Sequence, residues 1–140
     1  MEYRRFGHTY VIRIDRGEEI TEQVKAFAEK EGVRLASVQA IGAINDFTVG
    51  AFDTETRQYR SNSFSGVWEI ASLSGTITTK DGAYYGHLHL CAADDTGRAV
   101  GGHLNRAVVS ATCEMVVTLI LGRVERRFSE DVGLNLFAFE

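Results

Sequence analysis

Three of the four histidines in this chain lie between residues 87 and 103, as His87, His89 and His103. Side chains alternate between the two faces of a β-strand, so His87 and His89 are predicted to point the same way. A hairpin turn at Asp94-Asp95-Thr96-Gly97 would bring residue 103 back opposite residue 88 or 89. Three converging neutral imidazoles suit zinc or a similar divalent cation. The pattern therefore predicts one metal ion bound by His87, His89 and His103.

Other interpretations of these residues remain open. Histidines on a strand can also be hydrogen-bonded core residues or surface groups with no ligand. A bulge at Gly101-Gly102 would turn His103 to the opposite face, because a slip of one residue exchanges the two faces of a strand. Cys91 shares the face of the first two histidines and is a candidate fourth ligand, although a lone strand cysteine is more often a small buried residue. His8 is either a further ligand or a surface histidine.

A zinc-dependent enzyme is one hypothesis for such a site. Three imidazoles leave a coordination position for water, and zinc makes that water more acidic. The reaction would also need a general acid or base, and Glu69 and Glu114 are the strand carboxylates to consider. An ion pair or a hydrogen bond is the commoner role of such carboxylates. Ser72, Ser74 and Ser110 have no base fixed beside them by the sequence and are predicted to be ordinary strand hydroxyls.

Length and charge restrict the class of protein. A chain of 140 residues predicts a single domain over residues 1–140 that is large enough to bury a core. The net charge is −4, with 15 basic residues against 19 acidic ones, and the longest basic run is Arg126-Arg127. Proteins that bind DNA without a partner draw their affinity from clustered lysine and arginine. Direct nucleic-acid binding is therefore disfavoured.

The apolar segments are short. The longest, Met115 to Leu121, cannot span a bilayer, and the first six residues lack the apolar segment of a signal peptide. No membrane association and a cytoplasmic location are expected. Cys91 and Cys113 are accordingly predicted to be reduced thiols.

Periodicity predicts one helix among many strands. Tyr3 to Ile14 alternates as a strand, and Glu18 to Glu31 carries apolar residues at helical spacing before Gly32. Short β-type segments separated by Gly, Asn and Asp follow. The predicted later strands are Leu35 to Ile44, Asp46 to Asp53, a piece near Tyr59, Val67 to Thr79, Ala83 to Ala93 and Arg106 to Leu121.

The Arg106 to Leu121 segment has two different faces. Its odd positions are all apolar from Ala107 to Leu121, which predicts a core face. Its even positions mix polar residues with Val108, Val116 and Ile120, so this second face is predicted to be half-buried and to meet another subunit. The apolar tail from Gly133 to Phe139 is expected to dock on its own sheet or on a neighbour. These elements predict an α+β domain with a largely antiparallel sheet and one principal helix.

The chain as a whole resembles the plants-and-prokaryotes conserved domain, usually called the PPC domain. Several segments carry the resemblance over nearly the whole length. They are Asp15-Arg16-Gly17-Glu18-Glu19-Ile20, Ala40-Ile41-Gly42-Ala43, Glu69-Ile70-Ala71-Ser72-Leu73-Ser74-Gly75, Gly86-His87-Leu88-His89, Gly97-Arg98-Ala99-Val100-Gly101-Gly102-His103-Leu104, Arg126-Arg127-Phe128 and Gly133-Leu134-Asn135-Leu136. The resemblance implies an antiparallel α+β subunit assembled as a homotrimer, with a metal at the positions of His87, His89 and His103.

In plants the domain accompanies basic AT-hooks that grip DNA, and it mediates self-association and contact with transcription factors. This chain has no Arg-Gly-Arg-Pro hook and no proline. The favoured function is therefore a homotrimeric metal- or ligand-binding module that is regulatory through a protein partner or a small ligand. The alternatives are a zinc-dependent enzyme with an open three-histidine site, and a DNA-binding protein, as family names suggest.

Overall fold

The computed structural model describes residues 1–139, which form one α-helix and eight strands. The predicted α+β class with one principal helix is confirmed, and all strand pairs are antiparallel except β4 with β7. The elements in chain order are β1 (Glu2–Phe6), β2 (Thr9–Asp15), α1 (Ile20–Glu31), β3 (Ala36–Asp53), β4 (Gln58–Lys80), β5 (Ala83–Asp94), β6 (Ala99–Leu119), β7 (Glu125–Ser129) and β8 (Leu134–Ala138).

The N-terminal segment is a hairpin, so the single strand predicted from Tyr3 to Ile14 is wrong. Strands β1 and β2 pair antiparallel, with Phe6 opposite Thr9 and Gly7-His8 between them. Gly7 has a φ of 61°, the positive value that a two-residue hairpin turn requires of its first central residue. A turn of two residues keeps the alternation in phase on both sides. The sequence pattern therefore continues through the turn as if the strand were unbroken.

The helix begins two residues later than Glu18 because Glu19 is its N-cap. The Glu19 carboxylate accepts hydrogen bonds from the backbone N–H groups of Thr21 and Glu22. The helix ends at Gly32, which has a φ of 65° and lies in the left-handed region. Its apolar face is buried through Ile20, Val24, Phe27 and Ala28, as their spacing predicts.

Long, bulged strands replace several of the short predicted ones. The two segments predicted on either side of Asn45 form the single strand β3, and β4 joins the piece near Tyr59 to the next segment. Register shifts between Ala40 and Gly42, and between Ile44 and Asp46, bend β3 where the sequence suggested a break.

Four strands close on themselves. The sheet runs in the order β1-β2-β6-β3-β4-β7-β8, and β5 pairs with both β4 and β6. Strand β3 also pairs with both β4 and β6, so the path β3-β4-β5-β6 returns to its start. The hydrophobic core is formed by residues of these four strands, of β2 and of the helix, and it includes Ile12, Phe27, Phe47, Leu73, Ile77 and Met115.

Strand β6 largely has the predicted faces, with two exceptions. Ala107, Val109 and Cys113 are buried as expected, whereas Ala111 and Leu121 are exposed. Ala111 lies where β6 bulges, since Gly42 of β3 is opposite Cys113 while Ile44 is opposite Val109. Leu121 lies beyond the end of the strand. On the second face Val116 and Ile120 are 41% and 48% exposed.

The tail pairs within its own chain. Strands β7 and β8 form an antiparallel hairpin, and β7 meets β4 in parallel at one position, Thr79 opposite Glu125. Leu134, Leu136 and Phe137 stay between 40% and 45% exposed. No helix among the described residues is long and apolar enough to cross a membrane.

Candidate metal centre

The β5–β6 hairpin brings two of the predicted ligands face to face. His89 is directly opposite His103, one of the two registers that the turn predicted. The turn is held by the Asp94 carboxylate, which accepts hydrogen bonds from the backbone N–H groups of Thr96 and Arg98. Gly97 adopts a φ of 82° there. The sequence of the turn therefore fixes the register of the histidines.

The glycine pair before His103 carries no bulge in the β5–β6 ladder. Leu90 is opposite Gly102 and Cys91 is opposite Gly101, in unbroken register with His103. A Cβ atom at Gly102 would lie 2.6 Å from the carbonyl oxygen of Gly50 on β3. Glycine is required here because the backbones of β6 and β3 approach so closely.

The three imidazoles converge. One nitrogen from each of His87, His89 and His103 can be chosen so that all three lie within 4.8 Å of one another. The Nε2 atoms of His87 and His89 are 3.2 Å apart, and the three ring centroids are separated by 5.1 to 5.6 Å. His89 is exposed, whereas His87 and His103 are half-buried. The predicted site residues are thus one cluster on one face.

The electrostatics keep the inner histidines neutral. Burial, followed by the neighbouring His103, Arg126 and His89, lowers the pKa of His87 to about 4. Burial and His89 also lower the pKa of His103. Neutral imidazole is the form that binds a metal, and three nitrogen donors match zinc chemistry. The residues present therefore fit the predicted cation.

The other candidates lie outside this cluster. Among residues 1–139, the three histidines are the one group of three His, Cys, Asp or Glu side chains with metal-binding proximity. Cys91 is not part of it, and His8 lies in the β1–β2 turn. The cavity around the histidines is not lined by the remaining candidates, which are Glu69, Glu114, Ser72, Ser74 and Ser110.

The histidines open into a cavity of about 870 Å³. Its walls come mainly from β3, β5, β6 and β8, and the β8 wall includes Leu134, Leu136 and Phe137. Tyr59 and Asn105 also line it, and the Tyr59 hydroxyl donates a 2.8 Å hydrogen bond to Asn105 Oδ1. The Tyr59 ring stands perpendicular to that of His103. The apolar tail thus shapes the site.

Arg126 is a site residue that the sequence did not identify. Its guanidinium lies between the rings of Tyr85 and Phe137, at 4.6 and 4.5 Å from their centroids. It is 7% exposed, and burial lowers the pKa of its guanidinium. Arginine stacks well on aromatic faces. In the sequence, Arg126 and Arg127 are two adjacent charged residues of the kind expected at the surface. The structure buries Arg126 and exposes Arg127, a difference that nothing in the sequence indicates.

Comparison with known proteins places this arrangement in context. The solved structure of a candidate DNA-binding protein from Bacteroides thetaiotaomicron superposes with a TM-score of 0.96 at 31% identity, covering 99% of this chain and 96% of that one. A metal-containing protein from Archaeoglobus fulgidus superposes with a TM-score of 0.89 at 34% identity, covering 99% and 97%.

A curated relative matches most of this chain over a small part of its own length. The bifunctional protein GlmU of Synechococcus sp. (strain JA-3-3Ab) is 32% identical over 122 residues, which are 86% of this chain. The match spans 18% of the length of that relative. The family profile of the Plants and Prokaryotes Conserved (PCC) domain, the domain also abbreviated PPC, matches residues 1–121. With this match and the shared fold, the chain belongs to the PCC domain family.

Proposed function

We propose that this chain is a homotrimeric module that binds one divalent metal ion, preferably zinc, through His87, His89 and His103. The observation that carries the proposal is the convergence of three histidine nitrogens within 4.8 Å on strands of a closed sheet. A bound cation would supply positive charge and a coordination position for an oxygen ligand. The metal-containing relative from Archaeoglobus fulgidus supports the same assignment.

Binding is favoured over catalysis by the lining of the cavity. Neither Glu69 nor Glu114, the carboxylates considered as general bases, lines it, and no aspartate or glutamate does among the described residues. Glu114 lies instead opposite Arg13 and Ile41. General acid–base catalysis needs a proton-transfer group within hydrogen-bonding reach of the substrate. We therefore propose a regulatory role, exerted through a protein partner or a small ligand.

The proposed trimer rests on an exposed face of the sheet. Val11 is directly opposite Val116, and these two and Ile41 are 49%, 41% and 59% exposed. Contiguous exposed apolar residues are typical of subunit interfaces. In a cyclic trimer, each subunit would cover this face of one neighbouring subunit.

DNA binding is the second candidate function, because the similar protein from Bacteroides thetaiotaomicron is named for it. The charge of this chain opposes that function, since 15 basic residues are set against 19 acidic ones. We propose that the isolated chain does not bind DNA directly.

Metal analysis of protein purified without a nickel column tests the proposal. We expect about one zinc ion per chain by inductively coupled plasma mass spectrometry, and loss of that zinc when all three histidines become alanine. The His8→Ala variant is the matched control and should keep its metal. Absence of metal from wild-type protein grown and dialysed with zinc, or full retention by the triple variant, would overturn the assignment.

A further inference from the structure

Arg126 is a buried cation without a carboxylate partner. It is 7% exposed and forms no ion pair with any aspartate or glutamate in the described part of the chain. Burying a charge is costly unless it is paired or well hydrogen-bonded. A buried arginine that faces a cavity is therefore well suited to an anionic ligand.

The hydrogen bonds of Arg126 leave part of its guanidinium free. Nε donates to the Thr78 hydroxyl at 2.9 Å, Nη1 to the Asn135 carbonyl at 3.0 Å, and Nη2 to the Thr76 hydroxyl at 3.5 Å. A guanidinium has five N–H groups. One hydrogen on each terminal nitrogen thus has no acceptor among residues 1–139. Two such donors on one planar group suit the two oxygens of a carboxylate.

The guanidinium of Arg126 lies beside strand β5, which carries two of the three histidines. Thr78 is opposite Tyr85 and Thr76 is opposite His87 in the β4–β5 ladder. Arg126 donates to both threonines and stacks on Tyr85. Because Tyr85 and His87 are two residues apart on one strand and share a face, the charge of Arg126 lies beside that face. Arg126, His87 and His89 all line the same cavity. A single ligand in this cavity can therefore contact both the Arg126 guanidinium and the histidines.

Apolar side chains form another part of the lining of this cavity. Phe52, Leu134, Leu136 and Phe137 line it, and the three β8 residues among them are partly exposed. The buried Asn135 Oδ1 atom also lacks a hydrogen-bond partner. Small-molecule sites typically combine apolar walls with a few convergent polar groups.

We propose that this cavity binds an organic carboxylate with an apolar substituent, whose carboxylate lies between the Arg126 guanidinium and the metal position at the histidines. Phe137 and the leucines of β8 contact the apolar part. The inference rests on the proposed metal module for one end of the ligand, and on Arg126 alone for the other. The wall formed by β7 and β8 lies beyond residues 1–121, which the family profile matches.

Isothermal titration calorimetry with phenylacetate tests the inference without any substitution. Phenylacetamide is the matched probe, because it has the same shape and no charge. We expect zinc-loaded wild-type protein to bind phenylacetate at least about tenfold more tightly than phenylacetamide, since hydrogen bonds to charged groups are the stronger ones. Equal binding of both probes, or no heat from phenylacetate at millimolar concentration, would overturn the proposal.

The variant Arg126→Met assigns the effect to this side chain. We expect phenylacetate affinity to fall by about tenfold to a hundredfold while zinc stoichiometry stays unchanged. Arg127→Met is the control, because Arg127 is exposed and adjacent on the same strand. Unchanged affinity in a folded Arg126→Met variant would contradict the proposal. If that variant misfolds, Arg126→Lys retains the charge without the planar fork and should weaken phenylacetate binding more than phenylacetamide binding; an equal loss for both would also contradict it.

The zinc measurement and the calorimetry together separate the two proposals. If wild-type protein binds zinc, but phenylacetate binds no more tightly than phenylacetamide and Arg126→Met does not weaken its binding, the carboxylate site is wrong and the metal module stands. If wild-type protein binds no zinc, the metal module is wrong. In that case, phenylacetate binding to the metal-free protein that is weakened by Arg126→Met would support the arginine end of the site. No such binding would exclude the arginine end as well.

Discussion

His89 and His103 lie directly opposite each other across the β5–β6 pair, with ring centroids 5.6 Å apart and ring planes at 88°. The two residues lie on consecutive strands, and the Asp94–Gly97 turn between these strands sets their alignment. The proposed metal site therefore depends on hairpin register as much as on the presence of three histidines.

Replacing one ligand should weaken metal binding without unfolding the chain. We expect His103→Ala to raise the zinc dissociation constant by more than about 100-fold. Replacing residues that only support a metal ligand already weakens binding by up to about 100-fold, and His103 is a proposed ligand itself. Zinc affinity is measured by competition with a chromogenic chelator, and folding by circular dichroism. His8→Ala should leave affinity unchanged, because His8 lies in the β1–β2 turn, outside the histidine cluster. Similar losses in both variants would refute the assigned ligand set.

A methyl group at Gly102 should disturb the site through the backbone. Its Cβ would lie 2.6 Å from the Gly50 carbonyl oxygen, so one strand must shift next to His103. We expect Gly102→Ala to lower the free energy of unfolding by about 1–3 kcal/mol in urea titrations and to weaken zinc binding. At Gly86 the added Cβ would meet only the movable side chain of Tyr84, so Gly86→Ala should cost less. The reverse order would contradict this explanation.

The carboxylate of Glu31 should make stability sensitive to acid. The hydroxyls of Tyr3 and Tyr10 donate to it at 2.7 and 2.8 Å and lower its pKa from 4.5. A lowered native pKa stabilises the fold above pH 4.5, and this contribution disappears as the pH falls through the native value. We expect Glu31→Gln to lose about 1 kcal/mol or less at pH 7, with the difference from wild type narrowing below pH 4.5. Urea titrations across pH measure this, with Glu29→Gln as the control; a constant difference would contradict the assignment.

The proposed trimer predicts a mass of about three times 15.5 kDa by multi-angle light scattering at micromolar concentration. Val116→Asp should dissociate it, because a charge buried at the interface is costly. Val67→Asp, at a site that is 76% exposed on β4, should leave the mass unchanged. A monomeric wild type, or a trimer unaffected by aspartate at Val116, would remove this face from consideration.

Labelled duplexes of mixed and A·T-rich sequence test the expected lack of DNA binding. The chain carries a net charge of −4, and assembly would multiply that charge. We expect no binding tighter than about 10⁻⁶ M at about 150 mM salt, the tight end of ordinary non-specific affinity. A clearly lower dissociation constant would make DNA binding the leading function.

The sequence predicted the histidine cluster because all of its determinants are local. Alternation sets the face of His87 and His89, and the Asp94 turn sets the position of His103. Arg126 escaped prediction because its place depends on a parallel contact between β7 and β4, segments more than forty residues apart in the chain. The N-terminal hairpin escaped for a different reason, since its two-residue turn preserves the alternation of a single strand.

The β7–β8 hairpin joins the rest of the sheet at one ladder position and through a few side chains. Arg126 donates to Thr78 and Thr76, Thr79 donates to the Glu125 carboxylate, and Arg57 donates to the backbone carbonyls of Glu130 and Asp131 in the turn. Regions with few such connections open at a lower free energy than the core does. Amide hydrogens of β8 should therefore exchange with solvent sooner than those of β5, which is paired on both sides. Opening of this wall would leave the histidines in place on their paired strands, and would give a bulky molecule a way in and out that does not disturb the proposed metal site.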